Sequence, residues 1–316
     1  MAFLGDEQLA EDEQDLLDLA GVSSALLDTW SQKEALTLQQ MADMATCGTA
    51  SLRLSRAERM QVMQLAKWAL NQTGLVKEGL AWTDVLNLLD ACDAAWLARG
   101  AQGRLGQSLQ VACLAAVSIL AMHQTSCTSE QGRLHRLDFL PELTSQMVRC
   151  QARAFLNLLQ GRTGVPSLEA WISAIFKRVE VLSIGSLAVQ INSAQQFAIN
   201  LAQGILISFA ACPRHPPCQV ARALVALCLA QMGLVDSHRF RPQDVCEDEW
   251  DDLHIQALNS SASPAGDSSC GDQLDVDVLL VALGCELEHL QQACLLTLGR
   301  LRATGFSGGP HGVVSI

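Results

Sequence analysis

Apolar residues recur at helical spacing along most of the chain, and the pattern opens at Ser55. Ser55 is a good N-cap, and Glu58 three residues on completes a capping box. The spacing predicts a helix over about 56–72, closed by Gly74. A second helix follows over about 83–98, with Val85, Leu86, Leu88, Leu89, Cys92 and Trp96 on its apolar face. A third, about 106–124, is nearly all apolar from Val111 to Met122, so it needs neighbours on every side. Residues 125–140 are polar, with room for a short helix, and Pro141 suits the first turn of a helix reaching about 160.

Pro166 opens a second set. Helices are expected over about 166–182 and 193–210, and the run Cys212-Pro213-Arg214-His215-Pro216-Pro217 ends the latter. Pro217 starts another almost wholly apolar helix, about 217–232. Residues 236–275 change character, from the acidic cluster 244–252 to NSSASPAGDSSCGD, which has linker composition. A last helix is expected over about 284–302, with Leu287, Leu290, Cys294, Leu295, Leu298 and Leu301 on its buried side. Each half thus has about five helices, and the third of each half is the apolar one. The reading is all-α: an acidic N-terminal extension, 1–45; a first bundle, 46–162; a second bundle, 163–305, carrying the insert 236–275; and a disordered tail, 306–316. The extension reads as a solvated segment, with an amphipathic helix over Asp6–Leu19 as the alternative, placing Leu9, Leu16, Leu17 and Leu19 on or near one face.

Composition supports the class. Hydrophobic residues make up 49% of the chain, aromatics only 4%, and Tyr is absent, which disfavours strands. The net charge of −12 argues against a nucleic-acid partner, because phosphates need a basic face. Most of the 12 cysteines sit in apolar helical stretches, such as Cys113 and Cys228, and read as reduced, buried residues of a protein of the nucleus, the cytoplasm or both. The acidic start lacks the basic region of a signal or transit peptide. No uncharged apolar run reaches the roughly 18–20 residues of a membrane span.

Catalytic chemistry is not evident: no phosphate loop, nucleophile elbow or H-E-x-x-H occurs. Cys212, His215 and Cys218 suggest a metal, but zinc takes four ligands and no fourth lies nearby, so neither metal nor other cofactor is expected. The carboxylates of 244–252 lack EF-hand spacing and read as a solvated or partner-facing segment. Ser263-Pro264 is a candidate proline-directed phosphorylation site.

In order and texture, residues 55–305 resemble a cyclin. KWAL at Lys67–Leu70 resembles the D-W-L of that family's first helix. LLDACDAAWL at 88–97 resembles Y-L-D-R-F-L in the second, with Asp93 near its aspartate. LQVACLAAVSILAMHQTS at 109–126 resembles the third. Pro166-Ser167, HPPCQVARALVALCLAQMG at 215–233 and LEHLQQACLLTLGRLR at 287–302 resemble landmarks of the second fold. The resemblance implies two tandem five-helix cyclin-like folds and a non-catalytic subunit that binds and activates a cyclin-dependent kinase, forming a heterodimer with it and regulating cell-cycle progression. Such a subunit holds the kinase's mobile helix inward. The kinase-facing surface would include Leu120, His123, Gln124, Gln151 and Phe155. His123 and Gln151 stand where the family has a lysine and a glutamate, so no permanent charge pair remains. The substrate-docking M-R-A-I-L is replaced by Gln61, Val62, Met63, Gln64 and Leu65. Gln61, Leu65 and Trp68 mark the docking position, although Trp68 is expected in the core. The alternative is a cyclin-fold scaffold that activates no kinase.

Overall fold

The computed structural model describes residues 15–45, 54–98, 108–124, 140–161, 163, 166–183, 187–209, 216–258 and 274–304. Among these residues the chain is all-helical, with no strand. The α-helices are α1 (Ser24–Ala45), α2 (Arg56–Thr73), α3 (Trp82–Ala98), α4 (Leu109–Gln124), α5 (Glu142–Leu158), α6 (Leu168–Leu182), α7 (Ala188–Ser208), α8 (Pro217–Gln231), α9 (Glu247–Leu258), α10 (Val276–Leu283) and α11 (Leu287–Thr304). Residues 15–19 are also helical. Short 3₁₀ turns cover Leu75–Glu78 and Ser237–Phe240. The expected short helix in 125–140 and the tail 306–316 fall outside the described residues, apart from Leu140.

The chain divides into two compact units. Bundle 1 comprises 32–167 and 206–216, and bundle 2 comprises 1–31, 168–205 and 217–316. The division falls near the expected 162/163 boundary, but two segments lie with the other half of the chain. Residues up to 31 belong to bundle 2, and 206–216 belong to bundle 1.

Bundle 1 is organised round α4. Residues 111–117 of that helix, with Ile119, are buried, and α4 packs against α2, α3 and α5. A helix apolar on every face is stable in water only when surrounded. Local signals fix its neighbours. Ser55 and Glu58 form the capping box at the start of α2, and Gly74 at φ 72° ends it with its N–H donated to the Asn71 carbonyl. Asp84 accepts from the Ala81 N–H at 2.8 Å at the start of α3. Among the buried polar residues of the bundle is an ion pair. Arg59 of α2, 1% exposed, pairs with Asp90 of α3, 7% exposed, and its Nη1 donates to the Leu206 carbonyl at 2.8 Å. One guanidinium therefore ties α2, α3 and the returning segment 206–216 together.

Bundle 2 is organised round α8, whose residues Val220, Ala221 and 223–229 are buried. α6 and α11 pack on it, α10 packs on α6, and α9 packs on α11. Here too a buried arginine holds distant segments. Arg178 of α6, 1% exposed, donates Nε to the Ala282 carbonyl at 2.7 Å. Its Nη1 donates to the Val22 carbonyl at 2.8 Å, and its Nη2 to the Val281 carbonyl at 2.8 Å and the Ser24 hydroxyl at 3.4 Å. The carbonyls of Val281 and Ala282 belong to the last turn of α10, where a cation also meets the negative end of the helix dipole.

Three expectations are corrected here. Residues 15–31 are not a solvated extension: Leu17, Val22 and Leu27 are buried, and Trp30 meets Trp171 edge-on at 5.2 Å. Leu16 and Leu19, expected near the same apolar face, stay exposed. The acidic part of the insert, 236–258, is not simply a solvated segment: Phe240 and Trp250 are fully buried, and Trp250 pins α9 within the bundle, while the run of linker composition, 259–272, lies outside the described residues. The last helix, α11, stands where it is expected, but an unexpected helix, α10, precedes it; the two meet at a bend of 78° by Gly284, whose φ of 60° suits a left-handed cap. Among the described residues, bundle 2 therefore takes six α-helices from 168–304 rather than about five.

Replacing Arg178 by Met strips hydrogen bonds from three carbonyls in a buried setting. The expected cost is about 3 kcal/mol, read as a lower urea midpoint at unchanged slope, with Trp30 and Trp171 as fluorescent reporters. A loss below about 1 kcal/mol would show that water replaces the guanidinium at little cost.

Candidate functional site

The positions expected from the resemblance to face a kinase lie on α4 and α5, the most extensively packed pair of helices in bundle 1. Leu120 is half-buried against the bundle core. His123 and Gln124 occupy the last turn of α4, and their side chains fall outside the described residues. Gln151 of α5 is half-buried. Phe155 is fully buried. It offers no atom to a partner and instead forms the α4–α5 joint, because α5 buries Val148, Ala152, Phe155 and Leu159 at helical spacing. The opposite face of α5 carries Met147, Cys150, Gln151 and Ala154, all exposed except half-buried Gln151. Sequence reasoning named Gln151 of that face but not Met147, Cys150 or Ala154. Their signal lay in the same period, once Phe155 is assigned to the inner side.

The docking-position residues share one face of α2. Gln61 is exposed, Leu65 is half-buried, and Trp68 is 43% exposed. Trp68 was expected in the core. Trp82, at the start of α3, is the tryptophan buried there, with the Lys67 ammonium 5.8 Å from its ring centroid. Asp93, near the aspartate position of the resemblance, is half-buried, and Asp90 one turn before it is the buried residue paired with Arg59.

The acidic cluster 244–252 is largely helical. Glu247, Asp248 and Glu249 fill the first turn of α9, where carboxylates stabilise the positive end of the dipole. Arg241 joins this end to the preceding turn. Its Nη1 donates to the Val245 carbonyl at 2.6 Å, and its Nη2 lies 3.2 Å from the Glu247 carboxylate. His238 Nε2 is 3.6 Å from Asp251 Oδ1. His254, one turn beyond Trp250, has its pKa pushed below the ordinary value by burial first, then by the nearby His238; the Asp251 carboxylate opposes the shift.

The other candidates resolve as follows. Cys212, His215 and Ser263 lie outside the described residues. Cys218 is buried in the first turn of α8. Among the described residues no cluster of His, Cys, Asp or Glu has the arrangement of a metal site. No single described helix is long and apolar enough to cross a membrane. Buried thiols are held neutral: burial raises the pKa of Cys113 to about 12, and pushes those of Cys92, Cys228 and Cys294 up as well. Cys150 and Cys246 are exposed.

No protein-family model, no curated protein and no solved structure matches this chain.

Two outcomes follow from these environments. Brief alkylation of the native protein at pH 8 should modify Cys150 and Cys246 but spare Cys92, Cys113, Cys228 and Cys294 until denaturant is added, as read by peptide mass spectrometry. His254 should make stability depend on pH. Its folded pKa lies below its unfolded value of about 6.5, so the neutral form favoured by folding persists above that value. The stabilisation is lost as pH falls from there through the folded pKa. His254→Gln should therefore show a smaller loss of urea stability between pH 7.5 and 5 than the wild type. An equal loss in the two proteins would assign the pH dependence to other groups.

Proposed function

We propose that the chain is a non-catalytic, cyclin-like regulatory subunit that binds and activates a cyclin-dependent serine/threonine kinase. The observation that carries this reading is the pair of buried apolar helices. α4 stands third after α2 and α3, and α8 third after α6 and α7, which is the order the cyclin resemblance implies. The support is architectural and textural, since no matched family or structure adds to it. The partner surface on this reading is the end of α4, at Leu120, His123 and Gln124, with the outer face of α5 at Met147, Cys150, Gln151 and Ala154. It is neutral and partly apolar, so recognition depends on shape and hydrogen bonds more than on charge.

One observation favours the second reading, a scaffold that binds without activating. Phe155 is withdrawn into the core, and the Lys–Glu pair implied by the resemblance is replaced by His123 and Gln151. A partner therefore loses both an aromatic anchor and a charged anchor at this surface.

The test captures tagged full-length protein from native lysate and probes it for cyclin-dependent kinases and for kinase activity. Retained, active kinase is expected. Retained but inactive kinase would make the chain a scaffold, and no retained kinase would overturn the reading. The double variant His123→Asp/Gln151→Asp should weaken retention about tenfold, and bound kinase should protect Cys150 from alkylation. Retention unchanged in that variant, with Cys150 still reactive, would place the interface elsewhere.

A further inference from the structure

A cleft of about 350 Å³ opens in bundle 2 where α8 meets the α10–α11 turn. Gln219 and Arg222 of α8 line one side. Gly284, Cys285 and Glu286 line the turn, and His289, Leu290 and Ala293 of α11 complete it. The volume falls at the lower end of the roughly 300–1,000 Å³ typical of small-molecule sites, which limits an occupant to about the size of a dipeptide.

Its charges are arranged in an informative way. Arg222 is half-buried, and its Nε donates to the Leu283 carbonyl at 2.9 Å. That bond fixes the plane of the guanidinium at the end of α10. No carboxylate among the described residues pairs with it; Glu286 lines the same cleft, yet its ion-pair contact is with His289, Oε2 to Nδ1 at 3.6 Å. Nη2 of Arg222 lies beside Gly284, 3.9 Å from where a Cβ there would stand, an ordinary packing distance. The Cys285 thiol has its pKa raised by burial, an effect that Arg222 only partly opposes, so it contributes a neutral surface. The cleft therefore presents an oriented guanidinium and a separate carboxylate at its rim, with Leu290 and Ala293 as apolar lining between polar groups.

We propose that this cleft binds a zwitterionic α-amino carboxylate, a free amino acid or dipeptide. The ligand carboxylate takes the terminal nitrogens of Arg222, as a planar guanidinium favours, and the ligand ammonium faces Glu286. A small aliphatic side chain lies against Leu290 and Ala293. The arrangement disfavours a plain dianion, because Glu286 repels it while a single arginine attracts it. This site is independent of the surface on α4 and α5 and of the kinase reading.

Calorimetric titration of the full-length protein with glycylleucine tests the assignment, with acetate, methylammonium and inorganic phosphate as partial ligands. Saturable binding of the dipeptide, with each partial ligand at least about tenfold weaker, is expected. Arg222→Met should abolish binding. Because that change also removes the bond to Leu283, Glu286→Gln serves as the second variant: Glu286 is 83% exposed, its loss should leave the fold intact, and it should weaken the dipeptide several-fold while leaving acetate unaffected. No saturable binding of glycylleucine would overturn the proposal. So would phosphate or acetate binding as tightly as the dipeptide, which would make the cleft a simple anion site, or a Glu286→Gln variant that binds the dipeptide unchanged.

Discussion

The structure depends on two helices that have no polar face. α4 and α8 bury most of their side chains, so each requires neighbours round most of its circumference. Consecutive helices supply much of this cover, but not all. In bundle 1, Leu206 and Ile207 pack against the core from a segment well beyond the rest of the unit. In bundle 2, Leu17, Val22 and Leu27, from near the start of the chain, are buried, and this segment meets α6 through Arg178 at the Val22 carbonyl and Trp171 against Trp30. Each bundle thus adds to its consecutive helices a segment from the other half of the sequence.

Those recruited segments carry backbone groups that packing alone leaves unpaired, and the same solution occurs twice. Arg59 reaches the Leu206 carbonyl in bundle 1, and Arg178 reaches the Val22 carbonyl in bundle 2. Each arginine sits on the first full helix of its set and is 1% exposed. Their charges are balanced differently. Arg59 has a direct carboxylate partner in Asp90. Arg178 has the carbonyl end of α10, with Asp18 and Asp28 acting at longer range, while burial and Arg222 pull its pKa below the ordinary arginine value. A buried guanidinium needs partners for its donors: Arg178 finds three main-chain oxygens and the Ser24 hydroxyl, and Arg59 finds the Leu206 carbonyl and the Asp90 carboxylate.

Much of this was legible in the sequence, and what was not has a common cause. Capping residues and uninterrupted apolar runs are local signals, so α2, α4 and α8 emerge at close to their observed limits. Segments with charged composition concealed their few anchors. The acidic start hid Leu17, Val22 and Leu27, and the acidic run of α9 hid Trp250. The reading starts its last helix at Gly284, so the eight-residue α10 just before it, next to the insert, was missed. The candidate surface fared unevenly for a related reason. Phe155 and Trp68 exchange their expected environments, because a large apolar residue on an amphipathic helix can be placed only when the inner face is known. Arg59 and Asp90 sit in different helices, and no spacing rule links them. Their pairing is a property of the folded bundle.

The net charge of −12 also takes on a structural meaning. Acidic residues occupy the first turns of α2, α3, α5, α6, α9, α10 and α11: Glu58, Asp84, Glu142, Glu169, Glu247 to Glu249, Asp277 and Glu288. Each stabilises the positive end of its helix. Basic residues are scarce in the last turns, so the carbonyl ends need another solution. Gly74 and Gly284 provide left-handed caps, and Arg178 and Arg222 cover the end of α10. A chain with only 21 basic residues thus places two of them at one helix end. Arg178 donates there to the Val281 and Ala282 carbonyls, whereas Arg222 donates its Nε to the Leu283 carbonyl and lines the cleft together with Glu286, so of two arginines at one helix end one lies in the core and the other at a cleft.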